Sequence, residues 1–195
     1  MVGQALAFVL ETIFDLFILA VLVRFWMQAL RAPTRNPIAQ FTIAFTDFAV
    51  KPLRRVVPGL FNLDLSSLIV AWFAEFVLQV LLLLVLGAPL ADNLGVLSVV
   101  LFLSLVKLVR LSIYVFMGAI IIQAVLSWFA TYHPVAPFFD ALSRPFLKPI
   151  QRAIPTIGGV DVSPVLVLIA FQLILMLPVA WLEAQTGRIV YRAFL

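Results

Sequence analysis

Apolar residues fall in blocks along this chain. Four blocks, residues 9–30, 65–86, 111–129 and 164–182, are predominantly apolar. Each is close to the roughly 20 residues that a bilayer-crossing helix needs. Between the first and second blocks, and again between the third and fourth, phenylalanines recur at helical spacing among polar residues. In PIAQFTIAFTDF, Phe41, Phe45 and Phe48 lie at i, i+4 and i+7, and in PVAPFFDALSRPF a similar stripe joins Phe138, Leu142 and Phe146. These stripes predict amphipathic helices lying in the membrane surface. Each begins with a proline, Pro37 or Pro134, which a first helical turn tolerates because its missing N–H is not needed there. Residues 96–110, VLSVVLFLSLVKLVR, fit neither pattern. An unbroken helix over 96–129 would be about 51 Å long, well beyond the hydrocarbon core. Lys107 and Arg110 therefore predict a break, with the earlier part interfacial or re-entrant; a fifth span is the competing reading.

Composition settles the solvent. Of 195 residues, 65% are apolar and 11% charged, against about 45–50% and about 25% in a soluble domain. Mean hydropathy is +1.19. So little polar surface cannot cover a globule in water, so lipid is the solvent. The expected fold is an all-α membrane protein with about four transmembrane helices and short interfacial amphipathic helices. The first residues have no basic stretch, and Glu11 and Asp15 interrupt the apolar run, so they read as the start of the first span rather than a cleavable signal. Cysteine is absent and His133 is the one histidine, which excludes thiolate chemistry, disulfides and Cys/His metal clusters. Basic residues gather between spans one and two (Arg31, Arg35, Lys51, Arg54, Arg55) and between spans three and four (Arg144, Lys148, Arg152). The positive-inside rule puts both loops in the cytoplasm, although Arg188 and Arg192 in the tail argue the other way.

The two basic loops are copies. At an offset of 97, eleven of the thirty-four positions over 37–70 are identical, among them Pro37/Pro134, Lys51/Lys148, Pro52/Pro149, Arg55/Arg152, Pro58/Pro155, Asp64/Asp161 and Ser66/Ser163. Each half is then one span–loop–span unit, over 1–89 and 90–195. With two spans per unit, the repeats run parallel. Lys51 and Arg55, like Lys148 and Arg152, are four apart and share a face if the helix continues past the proline. Arg144 adds to the second set. Anionic headgroups are natural partners, at about 1 kcal/mol per basic residue near the surface; topology-setting charge alone is the plainer reading. Beyond them, Gly158 and Gly159 allow a tight turn. Ser163 before Pro164 reads as an N-cap and first helical residue, with Ser66 alike. Asp64 and Asp161 sit where a helix dipole favours a carboxylate, within reach of Arg55 and Arg152. A catalytic aspartate dyad is not needed to explain them.

The string PFLKPIQRAIPTIGGVDVSP, with the weaker KPLRRVVPGLFNLDLSS before it and LVRFWMQA around Arg24, resembles the signature of the YggT family, whose plant and cyanobacterial relatives are YlmG-type proteins. The resemblance covers residues 9–182. It implies a small integral protein of the bacterial cytoplasmic membrane. Members have been linked to osmotic-stress tolerance and ion uptake, to division or nucleoid distribution, and in plastids to haem attachment, which suits an organising or assembly role. The first loop departs from the motif at residues 59–62, at Ser67 and at Phe48.

Ionisable residues inside the spans carry the remaining chemistry. Asp15, Arg24 and Glu75 are costly at mid-bilayer and are functional candidates by default. Arg24 lies near a span end, where it can snorkel to the interface. Structural pairing or protonation is the plainer reading of the acids, an ion or proton route the sharper one. His133 matches Asn36 and reads as a helix-boundary residue. Trp26, Trp128 and Trp181 suit an aromatic belt, and Trp72 suits packing. No nucleotide loop, nucleophile elbow or metal triad is present, so neither enzyme activity nor a cofactor is expected. Two short basic loops without an aromatic platform also argue against nucleic acid. Two functions compete. A scaffold would use the loops against lipid and an unnamed membrane-protein partner, a homo-oligomer being compatible; a small ion channel or transporter subunit would use Asp15 or Glu75.

Overall fold

A computed structural model describes residues 2–57, 59, 63–85, 87, 94–129, 133–154 and 161–192. The Gly158–Gly159 turn lies outside these residues, as do the side chains of Trp128 and Arg192. Among the described residues there is no strand. The helices are α1 (Val2–Ala29), α2 (Pro37–Arg54), α3 (Leu65–Val85), α4 (Leu94–Phe129), α5 (Ala136–Ala153) and α6 (Ser163–Ile174), followed by a π-turn (Leu175–Val179) and α7 (Ala180–Arg192). Four helical runs are long and apolar enough to cross a membrane: Val2–Ala29, Leu65–Val85, Gly95–Ser127 and Ser163–Ile189.

The parallel duplication is visible in the element order. The set α1–α2–α3 is followed by α4–α5–α6/α7, with an amphipathic helix of 18 residues in the middle of each. We call the ends of the spans joined by α2 and α5 the loop end. In the first unit α1 packs along α3, with α2 against both. In the second, α4 takes the place of α1 against α5, α6 and α7. The units meet where α4 lies on α3 and α1. Among the described residues four clusters hold them together, one of them joining Val96 and Val100 of α4 to Phe76, Val80 and Leu83 of α3. Ile18, Leu22, Ala71 and Val115 fill the first unit and its border with α4. Phe116, Ile120, Val167 and Phe171 fill the second. Met27, Ala39, Phe138 and Leu142 bridge the two at the loop end. In lipid such packing stabilises through close contact rather than water exclusion. Trp26 belongs to this seam and not to an interfacial belt: its ring meets Phe116 at 4.7 Å.

The break expected near Lys107 and Arg110 is absent. Helix α4 runs through both for 36 residues, about 54 Å at 1.5 Å per residue. The reason is local: both cations find acidic neighbours across helix contacts. Arg110 pairs with Glu183 of α7 at 2.5 Å, and Lys107 is in electrostatic reach of Asp15 and Glu75. The Arg110 charge is met inside the helix contact, so it does not end the helix.

Helix starts follow their caps. Asn36 accepts from the Ala39 N–H at 2.9 Å, with Pro37 opening α2. In the second unit α5 starts at Ala136, two residues after Pro134, and Pro137 takes the first-turn place. His133 accepts the Ala136 N–H through its carbonyl at 2.9 Å, a helix-boundary role. The two amphipathic helices then diverge. On α2, Phe41, Phe45 and Phe48 point outward, while Ala39, Thr42, Thr46 and Val50 form the packed face. On α5 the expected lipid-facing stripe is inside: Phe138 and Leu142 are each 1% exposed. The cause is the seam, since α5 rests on both α4 and the end of α1.

Candidate functional site

The loop end of the first unit is organised by Arg24. Its side chain is buried, so it does not snorkel. The guanidinium Nη1 donates to Thr46 Oγ1 at 2.9 Å and Asp47 Oδ1 at 2.9 Å, and its Nε lies 3.9 Å from Asp64 Oδ2. Asp47 also holds Lys51 Nζ at 2.7 Å. Asp64 is fully buried, accepting from Arg54 Nη2 at 3.1 Å and Ser67 Oγ at 2.8 Å, with the Ser67 N–H at 3.4 Å. Arg54 reaches on to Gln28 Oε1 at 2.8 Å. One polar network thus ties α1, α2 and the start of α3 together. The hydrogen bond from Lys51, helped by the hydrogen bond and charge of Arg24, holds the Asp47 carboxyl below its ordinary range despite burial.

Two expectations change here. The cap of α3 is Asp64 and not Ser66, whose hydroxyl donates to Val57 O at 2.8 Å. The basic partner of Asp64 is Arg54 rather than Arg55, which is exposed and has no ion pair among the described residues.

The second unit repeats the geometry with different chemistry. Gln151, at the position of Arg54, donates to Asp161 Oδ2 at 2.7 Å, so Arg152 is not the partner. Asp161 Oδ1 accepts the Ser163 N–H at 2.9 Å from one residue before Val162, which holds the N-cap position in place of Ser163. Burial pushes the Asp161 carboxyl up, but hydrogen bonds from Ser163 and Gln151 outweigh it and hold the group below its ordinary range. Ile121 stands where the first unit has Arg24. Equivalent cavities survive in both: about 480 Å³ lined by Arg24, Gln28 and Arg54, and about 450 Å³ lined by Gln123, Asp140, Lys148, Gln151, Asp161 and Pro164. At the second, Gln123 Oε1 is buried with no hydrogen-bond partner among the described residues.

Lys148 and Arg152 do lie together, as their spacing requires, because α5 continues through Pro149. With Arg31 and Arg144 they rim a cavity of about 510 Å³ between the end of α1 and α5. Arg144 is paired with Asp140 one turn away.

Deeper in the spans, Glu75 is 1% exposed and accepts from Gln79 Nε2 at 2.8 Å. Lys107, Asp15 and Glu183 act on it electrostatically. Asp15 itself is on an exposed face of α1. Sequence reasoning named Asp15 and Glu75 but missed Lys107, Arg110 and Glu183 as their company, and at the loop end it missed Asp47, Arg54 and Gln151. The spacing of ten residues shared by Arg54–Asp64 and Gln151–Asp161 was the available signal.

The CCB3/YggT profile matches residues 3–85 and 102–182, one unit each. The chain belongs to the CCB3/YggT family. An uncharacterized protein of Pseudomonas aeruginosa is 36% identical over 187 residues, covering 95% of this chain and 93% of that one. The Escherichia coli K12 protein YggT is 31% identical over 188 residues, 96% of this chain and 95% of its own. A Vibrio alginolyticus protein is 33% identical over 170 residues, 87% and 90% of the two. No solved structure matches the chain. Family membership and four apolar helices agree on a multi-pass membrane protein. The two profile segments end at residues 85 and 182, the same 97-residue spacing that relates the loops.

Proposed function

We propose that this protein is a non-enzymatic scaffold of the bacterial cytoplasmic membrane, serving assembly or organisation in envelope, division or osmotic-stress physiology. In this reading α2 and α5 lie at the cytoplasmic surface, against anionic headgroups and a membrane-protein partner. The observation that carries it is the Arg24 network, which fixes α2 to two spans through buried ion pairs. A helix so anchored, with Phe41, Phe45 and Phe48 outward and Lys51 and Arg55 beside them, is a rigid surface element. Within the spans Arg110 is paired with Glu183, and Glu75 is held by the neutral amide of Gln79.

A second reading rests on Glu75. A buried carboxylate beside Gln79, with Lys107 and Asp15 near, is also what an ion-handling site requires. Flux into sealed proteoliposomes containing only this protein separates the two. A scaffold gives no flux above empty liposomes. Saturable flux that Asp15→Asn/Glu75→Gln abolishes would overturn it in favour of a channel or transporter subunit.

A further inference from the structure

The cavity between the two units has features that topology-setting charge does not require. Its rim carries Arg31 from the end of α1 and Arg144, Lys148 and Arg152 from α5. Those three fall at i, i+4 and i+8 and so form one stripe, drifting only about 40° per step. Arg144 has Asp140 as its partner. Arg31, Lys148 and Arg152 have no carboxylate partner among the described residues, which leaves an excess of three positive charges around one concavity. The wall between them is apolar: Leu30, Pro145 and Pro149.

Arg31 is the informative residue. It ends α1 in a left-handed turn, φ 52°, closed by Ala32 N–H to Met27 O at 2.8 Å and Arg31 N–H to Gln28 O at 3.2 Å. This cap position is ordinarily glycine, because a side chain there is strained. Here the strained position holds an arginine, and the turn sets it opposite the α5 stripe.

We infer that this cavity binds the phosphate of one anionic phospholipid, with Arg31, Lys148 and Arg152 around the phosphate and the glycerol end against Leu30, Pro145 and Pro149. A guanidinium offers paired donors that match phosphate oxygens. The cavity sits at the loop end of apolar spans, where headgroups lie. The site rests on the reading that the loop face meets lipid, and makes it specific to one place contributed by both repeats.

The test is native mass spectrometry of the full chain in mild detergent, titrated with phosphatidylglycerol, phosphatidylcholine or inorganic phosphate. Wild type should retain phosphatidylglycerol in preference to phosphatidylcholine. At about fivefold per charge, Arg31→Gln/Lys148→Gln/Arg152→Gln should weaken it on the order of 100-fold. The control Arg35→Gln/Arg188→Gln, at exposed cations elsewhere, should change it by less than about threefold. Arg31→Gly relieves the turn and so holds stability, yet should still lose about fivefold in binding. A loss in the Arg35→Gln/Arg188→Gln control equal to that of the triple variant would overturn the site while sparing the general lipid contact. No preference for phosphatidylglycerol in wild type would overturn the lipid contact as well. Competition by inorganic phosphate at the affinity of the lipid would replace the lipid with a soluble phosphate and overturn the assignment.

Discussion

Replacing Arg24 by glutamine should loosen α2 from the spans. The side chain is 5% exposed and donates to Thr46 and Asp47 at 2.9 Å each. Removing one partner of a buried ion pair costs about 3–5 kcal/mol when the other is left uncompensated. Here Asp47 keeps Lys51 and Asp64 keeps Arg54, so the loss should be about 2–3 kcal/mol. For a chain of this length that corresponds to a fall of roughly 5–10 °C in Tm, read by tryptophan fluorescence in detergent. Amides across residues 37–54 should exchange faster, with those of α6 unchanged. The reasoning makes a sharper demand through a double-mutant cycle with Asp47→Asn. The two changes should couple by about 1–2 kcal/mol, whereas independent sites add to within about 0.3–0.5 kcal/mol. Additivity within that limit, or an Arg24→Gln variant as stable as wild type, would refute the network as the anchor of α2.

Other consequences can be checked in the same preparations. Asn36→Ala removes the α2 cap and should cost about 1 kcal/mol, with lost protection at the Ala39 amide. Asp161 is held below its ordinary range, so its contribution is full above the unfolded value of about 3.9 and fades as pH falls through the lower folded value. Asp161→Asn should therefore narrow the stability gap to wild type on acidification and leave it constant between pH 6 and 8. Arg110→Gln strands Glu183 inside the helix contact and should destabilise by about 3–5 kcal/mol, while Arg110→Gln/Glu183→Gln recovers most of the loss.

Much of the fold was legible because lipid imposes a simple code. Apolar blocks gave the spans, and an offset of 97 gave the parallel duplication. What sequence could not supply was partnership. A lone Arg24 near a span end looks able to snorkel, and only the fold brings Asp47 and Asp64 to it from 23 and 40 positions away. Likewise, Lys107 and Arg110 read as a helix break until α7 delivers Glu183 beside Arg110. The α5 stripe failed for a related reason: Phe41 and Phe138 occupy equivalent positions, but one is 67% exposed and the other 1%. Periodicity identifies an apolar face without saying whether protein or lipid will cover it.

The two copies of the loop have come to different uses of one geometry. Asp64 and Asp161 each accept an amide at the start of equivalent helices, but the first receives an arginine and the second a glutamine. At the position of Arg24 the second unit has Ile121, so no buried cation links α4 to α5 as one links α1 to α2. The second unit uses packing instead, with Phe138 and Leu142 in the seam. Of the α5 cations, Arg144 pairs with Asp140, while Lys148 and Arg152 have no ion pair among the described residues. Lys51 is held by Asp47 at 2.7 Å, while its counterpart Lys148 has no such partner, because the position of Asp47 is taken by Arg144. The two segments carry the same net charge, and what differs is which cations have a carboxylate beside them. The first loop is thereby tied in place, while the second leaves Lys148 and Arg152 for the anion we propose.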